Sequence, residues 1–581
     1  MAFLRCVICI ILFTPMTACA QTPALSQSDT EWASYNNNLL SDRYSPLQQI
    51  TTKNVSQLKP VCSYDTGLKT SFQTGPIMVN NVLYFTSEFE TFAIDASDCS
   101  EKWRTKIDYK PVGPLKVNRG AAYLDGRLFR GLLDGRLVAF DADTGKILWE
   151  QQIAIKEKGE TIPAAPIAWD DKVFIGHAGS DNFGVKGRVY AFEAATGKPL
   201  WETFLVPKEQ NVGTLTMIDA PIKNVATDRF LGDSKDNTWN VPEGEPITGG
   251  ASWTSYTLDP EANDGRGLFY IPTANPAPDF NRDVRAGANL MTNSITVLDA
   301  QTGEYIRHHL MVPEDFHDWD ASATPAVLTS QAGTRMVLAG AKDGNLHAFR
   351  DAATASADTR GGANALTSTV RTVPGKLWTQ PVTTMLNTTA PLTKDGTYFC
   401  PGAVGGVQWN GPAYSPKTNA AYVNSVDWCT TVYLQDEEKV LSVSQGQPWS
   451  GHQPQDEDDI FGTQDDKADG RGWLNAVDVD TGRVKWVWKA PTPLVAAVTA
   501  TAGNVIFTGD LNGHFYAFDA TNGKKLLDQK LGGPMGGGVI TYQTNNQQRV
   551  AVATGMNSPI WPWKGGSAKM VVMGLDSKSG R

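Results

Sequence analysis

The sequence predicts an all-β chain built as an eight-bladed β-propeller, and three observations carry that prediction. One phrase recurs along the 581 residues: a strand ending in Ala-x-Asp-Ala, a Thr-Gly turn, and a short strand that often closes on Trp. Strands beside the copies, such as 82–87, 172–177 and 505–510, are short, apolar and β-branched, as blade strands should be. The chain also holds 54 Gly and 17 Trp with only 19% charged residues, which suits hairpin turns around a large core and excludes a disordered chain.

In chain order, the strong copies run 93–103, 139–149, 191–201, 297–307, 476–486 and 517–527, and looser copies run 257–270, 348–355 and 413–423. Their Asp-x-x-Thr-Gly core is hairpin chemistry, with Gly at positive φ and Asp bonding the local backbone. Copies lie about 40 to 66 residues apart, the length of one four-stranded blade with its loops. Nine copies fit eight blades if the first and last segments combine to close the ring, although counting alone leaves seven or nine open. The uneven period predicts loops inserted on one face, where a propeller builds its site. A helical repeat fails because Gly-rich turns interrupt any 3.6-residue pattern.

Residues 1–20 read as an export signal, with Arg5, an apolar run from Val7 to Phe13 and small residues at Ala18, Cys19 and Ala20. This leaves 21–581 as a single propeller domain. Met16-Thr17-Ala18-Cys19 is also a loose lipobox, which keeps a lipid anchor at Cys19 open; the run is shorter than the roughly 20 residues of a membrane span. Beyond the signal only Cys62, Cys99, Cys400 and Cys429 remain, and four cysteines in an exported protein suggest two disulfides. A strand-like segment between the members of each pair suggests Cys62 with Cys99 and Cys400 with Cys429, though spacing does not fix connectivity. No Cys-x-x-Cys-His occurs, so no covalent c-type haem is expected. A net charge of −10 without any Lys/Arg cluster argues against a nucleic-acid surface. No second long apolar run exists to support a polytopic membrane protein.

Beside these repeats stand NRG (118–120), TANPAPDFN (273–281), HDWDA (317–321), AKDG (341–344) and VQWNGPAYSP (407–416). Together, from about Trp32 to Gly574, they resemble the quinoprotein alcohol dehydrogenases without a fused cytochrome domain. These are exported eight-bladed enzymes that use pyrroloquinoline quinone (PQQ) and a metal ion. The resemblance implies Asp181, Asn275 and Asp318 as metal ligands, with Asn182 as a fallback for Asp181. Asp320 matches the added aspartate of lanthanide-using members, so the ion is Ca2+ or a lanthanide. Hard oxygen ligands in Gly- and Pro-bearing turns are the right chemistry for either.

By the same resemblance Asp318 is the catalytic base, Lys342 donates to the quinone oxygens, Trp253 is the stacking floor and Arg119 pairs a PQQ carboxylate. Gln73, Gly179, Ser180, Gln408 and Trp409 complete the expected cofactor pocket. His317 would serve as a base in isolation, but the family gives it no role and it reads as a structural neighbour. Several family contacts are absent: Gly113-Pro114 replaces a vicinal cysteine pair, Gln73 a glutamate, Pro163 a threonine, Ala178 a serine and Val495 a tryptophan. The segment 351–370 reads as an extended surface loop. Asp456–Asp469 reads as a solvated acidic loop, and 445–462 with Trp449 as an overhang above the substrate entrance.

The expected function is therefore periplasmic or secreted oxidation of a small alcohol or polyol, with electrons passed to a separate cytochrome c-type acceptor. The oligomeric state stays open. The competing expectations are a non-enzymatic envelope-assembly propeller, which shares such repeats, and a sugar or polyol binder that has lost redox chemistry.

Overall fold

The computed structural model describes residues 26–113, 115–206, 216–217, 220–221, 239–241, 245–353, 375–456 and 459–575. The signal segment 1–20, Pro114 and most of the loop expected at 351–370 lie outside these residues. Among the described residues, eight antiparallel meanders of four strands follow one another, here blades 1 to 8: 77–106, 122–152, 167–204, 257–310, 326–381, 413–490, 499–530, and 539–574 completed by Lys59–Asp65. Tyr44–Ser45 adds a parallel fifth strand to blade 7. Fourth strands are the most exposed, as in Lys376–Pro381 and Lys525–Lys530, whereas first strands such as Ile77–Val79 and Thr499–Thr501 are wholly buried. First strands of successive blades also touch, so they line the centre and the fourth strands form the rim. No described helix is long and apolar enough to cross a membrane.

Blade 8 pairs the early strand Lys59–Asp65 with the late strand Lys569–Gly574, so the first and last segments do close the ring. The repeat copies map differently from expectation. The copies at 257–270 and 297–307 belong to one blade, as do those at 413–423 and 476–486, and blade 8 has none. Nine copies thus mark seven blades, because two of the three loose copies, 257–270 and 413–423, are first hairpins that share the turn chemistry of third hairpins.

The repeat is a docking device between blades. Indole Nε1 of Trp103, Trp149, Trp201, Trp378 and Trp486, each on a fourth strand, donates to the carbonyl of Ala142, Ala194, Ala300, Val479 and Ala520 in the next blade, at 2.8, 3.0, 3.2, 2.9 and 3.0 Å. The ring lies on the Gly of the same turn. Gly145 has φ 69°, and a Cβ there would come within 2.5 Å of the Trp103 ring. Gly is therefore fixed twice, by the left-handed turn and by the indole.

Three seams depart from that pattern. Between blades 4 and 5, Arg307 holds the Trp register position and pairs with buried Asp351. Between blades 7 and 8, Leu527 packs into an apolar cluster. Between blades 8 and 1, Cys62 takes the Trp position and Cys99, at φ 63°, the Gly position, and the two form a disulfide. The covalent bond sits where the ring closes on itself. The second disulfide, Cys400–Cys429, joins two loops at the opposite end of the strands.

Candidate active site

In a meander, the connection into the first strand and the connection between the second and third strands lie at the same end. Gln73, Arg119, Trp253, Asp318, Asp320, Gln408 and Trp409 all precede first strands, whereas Asp181, Asn275 and Lys342 lie between second and third strands. One face thus collects every expected site residue, and the docking turns occupy the other.

At its centre, Lys342 Nζ lies 2.9 Å from Asp318 Oδ2 and 2.7 Å from Asp320 Oδ2. The other oxygen of Asp320 accepts the Asn275 backbone N–H at 2.8 Å. Asp181, Asp279 and Asp318 each offer an oxygen within 4.8 Å of the other two. Asp318 stands at φ 62°, a left-handed conformation that short polar side chains tolerate. Sequence reasoning brought Asp181, Asn275, Asp318, Asp320 and Lys342 to this cluster but passed over Asp279, whose motif was visible while its direction was not.

Burial governs the protonation of this cluster. It raises the Asp318 carboxyl well above the usual range against the pull of Lys342, and Asp320 and Asp181 push the same way. Asp279 is raised by burial and then by Asp181 and Asp318. Burial and Asp320 push Asp181 up to about 6. Burial alone would lower the Lys342 ammonium, but Asp318 and Asp320 outweigh it and hold it above the ordinary lysine range.

The loops are held by groups the sequence did not single out. Asp315 accepts the backbone N–H groups of His317 and Trp319, both at 3.0 Å, and so shapes the HDWDA turn. Arg285, fully buried, donates to the carbonyls of Pro278, Asp279 and Asp315 at 2.9, 3.1 and 2.8 Å, stapling the TANPAPDFN loop to that turn. The overhang expected at 445–462 forms a roof: Trp449 N–H donates to Asp181 O at 2.7 Å, and Phe280 N–H to Ser450 O at 2.8 Å. The acidic loop is less solvated than expected, since Asp459 is buried beside His452. Asn182 spends its amide on the Gly159 and Gly179 carbonyls, which leaves Asp181 as the acid of that turn facing the cluster. His317 lies buried in a stack with Trp319, flanked by Phe316 and Phe399, and burial lowers it to about 3.

Next to the acids lies a cationic and aromatic pocket. The Arg119 guanidinium sits 4.6 Å from the Trp253 ring centroid and 5.3 Å from that of Trp409, and Lys342 Nζ lies 5.7 Å from Trp253. Arg119 donates to Trp253 O and Gln73 Oε1, each at 3.1 Å, its Nε is buried without a partner among the described residues, and burial lowers it to about 10. Trp409 Nε1 donates to Gly536 O at 2.8 Å. Gln408 spends its amide on the Val404 and Gly405 carbonyls, and Ser180 Oγ accepts from Ala251 N–H. These two side chains therefore serve the pocket wall. Gly179 packs so tightly against Gly159 that a Cβ would lie 2.3 Å from its carbonyl oxygen.

The residues fit both implied groups. Buried carboxylates and the Asn275 Oδ1, which has no donor among the described residues, form a hard-oxygen set for Ca2+ or a lanthanide. An indole face flanked by Arg and Lys suits a planar tricarboxylate.

Residues 32–354 and 367–550 match the family described as PQQ: glucose/ethanol/alcohol dehydrogenase, β-propeller domain. The chain is 30% identical over 610 residues to the dehydrogenase subunit of a quinone alcohol dehydrogenase from Gluconobacter oxydans, covering 96% of this chain and 76% of that protein. It is 30% identical to methanol dehydrogenase [cytochrome c] subunit 1 from Methylobacterium organophilum, covering 93% and 86%. Among solved structures, a europium-containing methanol dehydrogenase superposes with a TM-score of 0.75 at 26% identity, covering 94% of this chain and 98% of that one.

Proposed function

The chain belongs to the PQQ glucose/ethanol/alcohol dehydrogenase β-propeller family, and on that premise we propose an exported quinoprotein dehydrogenase that oxidises a primary or secondary alcohol, or a polyol. PQQ and a metal ion, held by this chain's loop residues, would supply the hydride acceptor, and an external cytochrome c-type protein would take the electrons. The observation that carries this reading is the Lys342 ammonium clasped between Asp318 and Asp320 beside two further acids. Burying such charges costs stability, and an envelope-assembly scaffold or a binder without redox chemistry has no use for them.

When bound, PQQ with its metal supplies an electron-poor carbonyl able to accept hydride from the alcohol carbon. Asp181, Asn275, Asp318 and Asp320 would hold the ion, Ca2+ or a lanthanide. Asp318 takes the substrate hydroxyl proton on its carboxylate; its burial raises its basicity toward working pH, as general-base catalysis requires. Lys342 orients Asp318 and places positive charge where negative charge develops on the cofactor. Arg119 binds a cofactor carboxylate, Trp253 forms the floor, and Gln73, Gly179, Ser180, Gln408 and Trp409 close the pocket. The roof carrying Trp449 ties the Asp181 turn and the TANPAPDFN loop together beside the acids. The cytochrome acceptor follows the relative named with one, and export follows the signal at 1–20.

Purified protein reconstituted with PQQ and either Ca2+ or a light lanthanide should reduce an artificial electron acceptor when given an alcohol. Absence of both PQQ absorbance and turnover with every metal would overturn the proposal.

A further inference from the structure

Asp279 is the buried acid to which the proposed function gives no task. It is 1% exposed, and its oxygen lies within 4.8 Å of those of Asp181 and Asp318. Oxygens bonded at about 2.3–2.6 Å to one large cation stand at most about 5 Å apart, so these three acids can span a single ion. A second observation points the same way. Asn275 donates Nδ2–H to Asp279 Oδ1 at 2.8 Å, while its own Oδ1 is buried with no donor among the described residues. An amide pinned by its nitrogen to an acid of the cluster, with its own buried oxygen left without a donor, is arranged for a cation. Asp320, by contrast, has one oxygen engaged by Lys342 and the other by the Asn275 N–H.

We infer that Asp279 is a further ligand of the metal, one oxygen on the ion and the other fixing Asn275, and that it biases the site toward trivalent cations. When ionised, Asp181, Asp279, Asp318 and Asp320 against Lys342 leave three negative charges, which a trivalent ion cancels and Ca2+ does not. Ligand charge count is the usual lever on affinity at oxygen sites. The inference rests on the metal-dependent reading above.

The test is a chelator-buffered titration of the full chain, with and without added PQQ, by Tb3+ and separately by Ca2+, following Tb3+ luminescence and its lifetime in H2O and D2O. Asp279→Asn keeps an acceptor for Asn275 but removes the charge. It should weaken Tb3+ at least about tenfold, weaken Ca2+ less, and add one metal-bound water. Unchanged Tb3+ affinity and hydration in Asp279→Asn would overturn the inference and leave the proposed function standing. Failure of the unmutated chain to bind either ion would instead overturn the metal-dependent function itself. The metal-free variant should melt no lower than wild type, because a repulsive charge has gone; a lower melting temperature would assign Asp279 to the fold and reject it as a ligand.

Discussion

The two ends of the blades solve opposite problems. At the docking end, five seams repeat one solution, an indole hydrogen-bonded to a carbonyl and laid on a Gly, and each partner is satisfied within the protein. At the loop end nothing repeats. Acids are buried beside acids, Asn275 Oδ1 and Arg119 Nε lack partners among the described residues, and Asp318 sits in a left-handed conformation. The docking end is built for stability, and the loop end carries electrostatic strain that a metal and an anionic cofactor would relieve. Changes at the first should therefore be read in unfolding, and changes at the second in turnover.

The largest expected effect is at the loop end. Asp318→Asn should lower turnover with an artificial acceptor by about 10²- to 10⁴-fold while leaving the melting temperature equal or higher; a fall in stability without loss of turnover would erase the contrast. At the docking end, Trp201→Ala should cost about 3–5 kcal/mol in denaturant unfolding, with turnover per folded molecule unchanged. Breaking the ring clasp with Cys62→Ala and Cys99→Ala together should cost about 2–4 kcal/mol. A cost below that of Trp201→Ala is expected, because Tyr542 still donates to the Ala96 carbonyl across the seam.

The smallest effect is in pH. In chelator-treated protein, burial and then the neighbouring Asp320 push the folded Asp181 carboxyl up to about 6, above its unfolded range of about 3.9. The folded state then binds its proton more tightly, so stability is highest below about pH 4 and falls as pH rises toward 6. Calorimetric melting should show a small loss of stability across that window, and saturating metal should flatten it. A rise of stability across the window would contradict the burial of these acids.

Legibility in the sequence followed the same division. The turns at Asp141-Ala142-Asp143-Thr144-Gly145 and its copies were visible because one local geometry selects the same residues each time. Even so, the copies at 257–270 and 413–423 were assigned to separate blades, since a first hairpin and a third hairpin use the same turn chemistry. At the site, Asp318, Asp320 and Lys342 were found through their motifs. Asp279 lay inside a quoted motif and was missed, as was Arg285, because a loop carboxylate and a loop arginine look solvated until the chain folds over them.

The sequence by itself determined the strand grammar, because short-range turn geometry selects the same residues each time; it supplied four cysteines without fixing their pairing, and it pointed to the metal-type acids through the family resemblance of their motifs. Only the tertiary structure decided that Cys62 and Cys99 replace a Trp–Gly dock at the closing seam, and that four acids and one lysine from three blades meet. Those facts depend on which loops a closed ring brings together. Ring closure joins residues far apart in the chain through packing that no local pattern encodes.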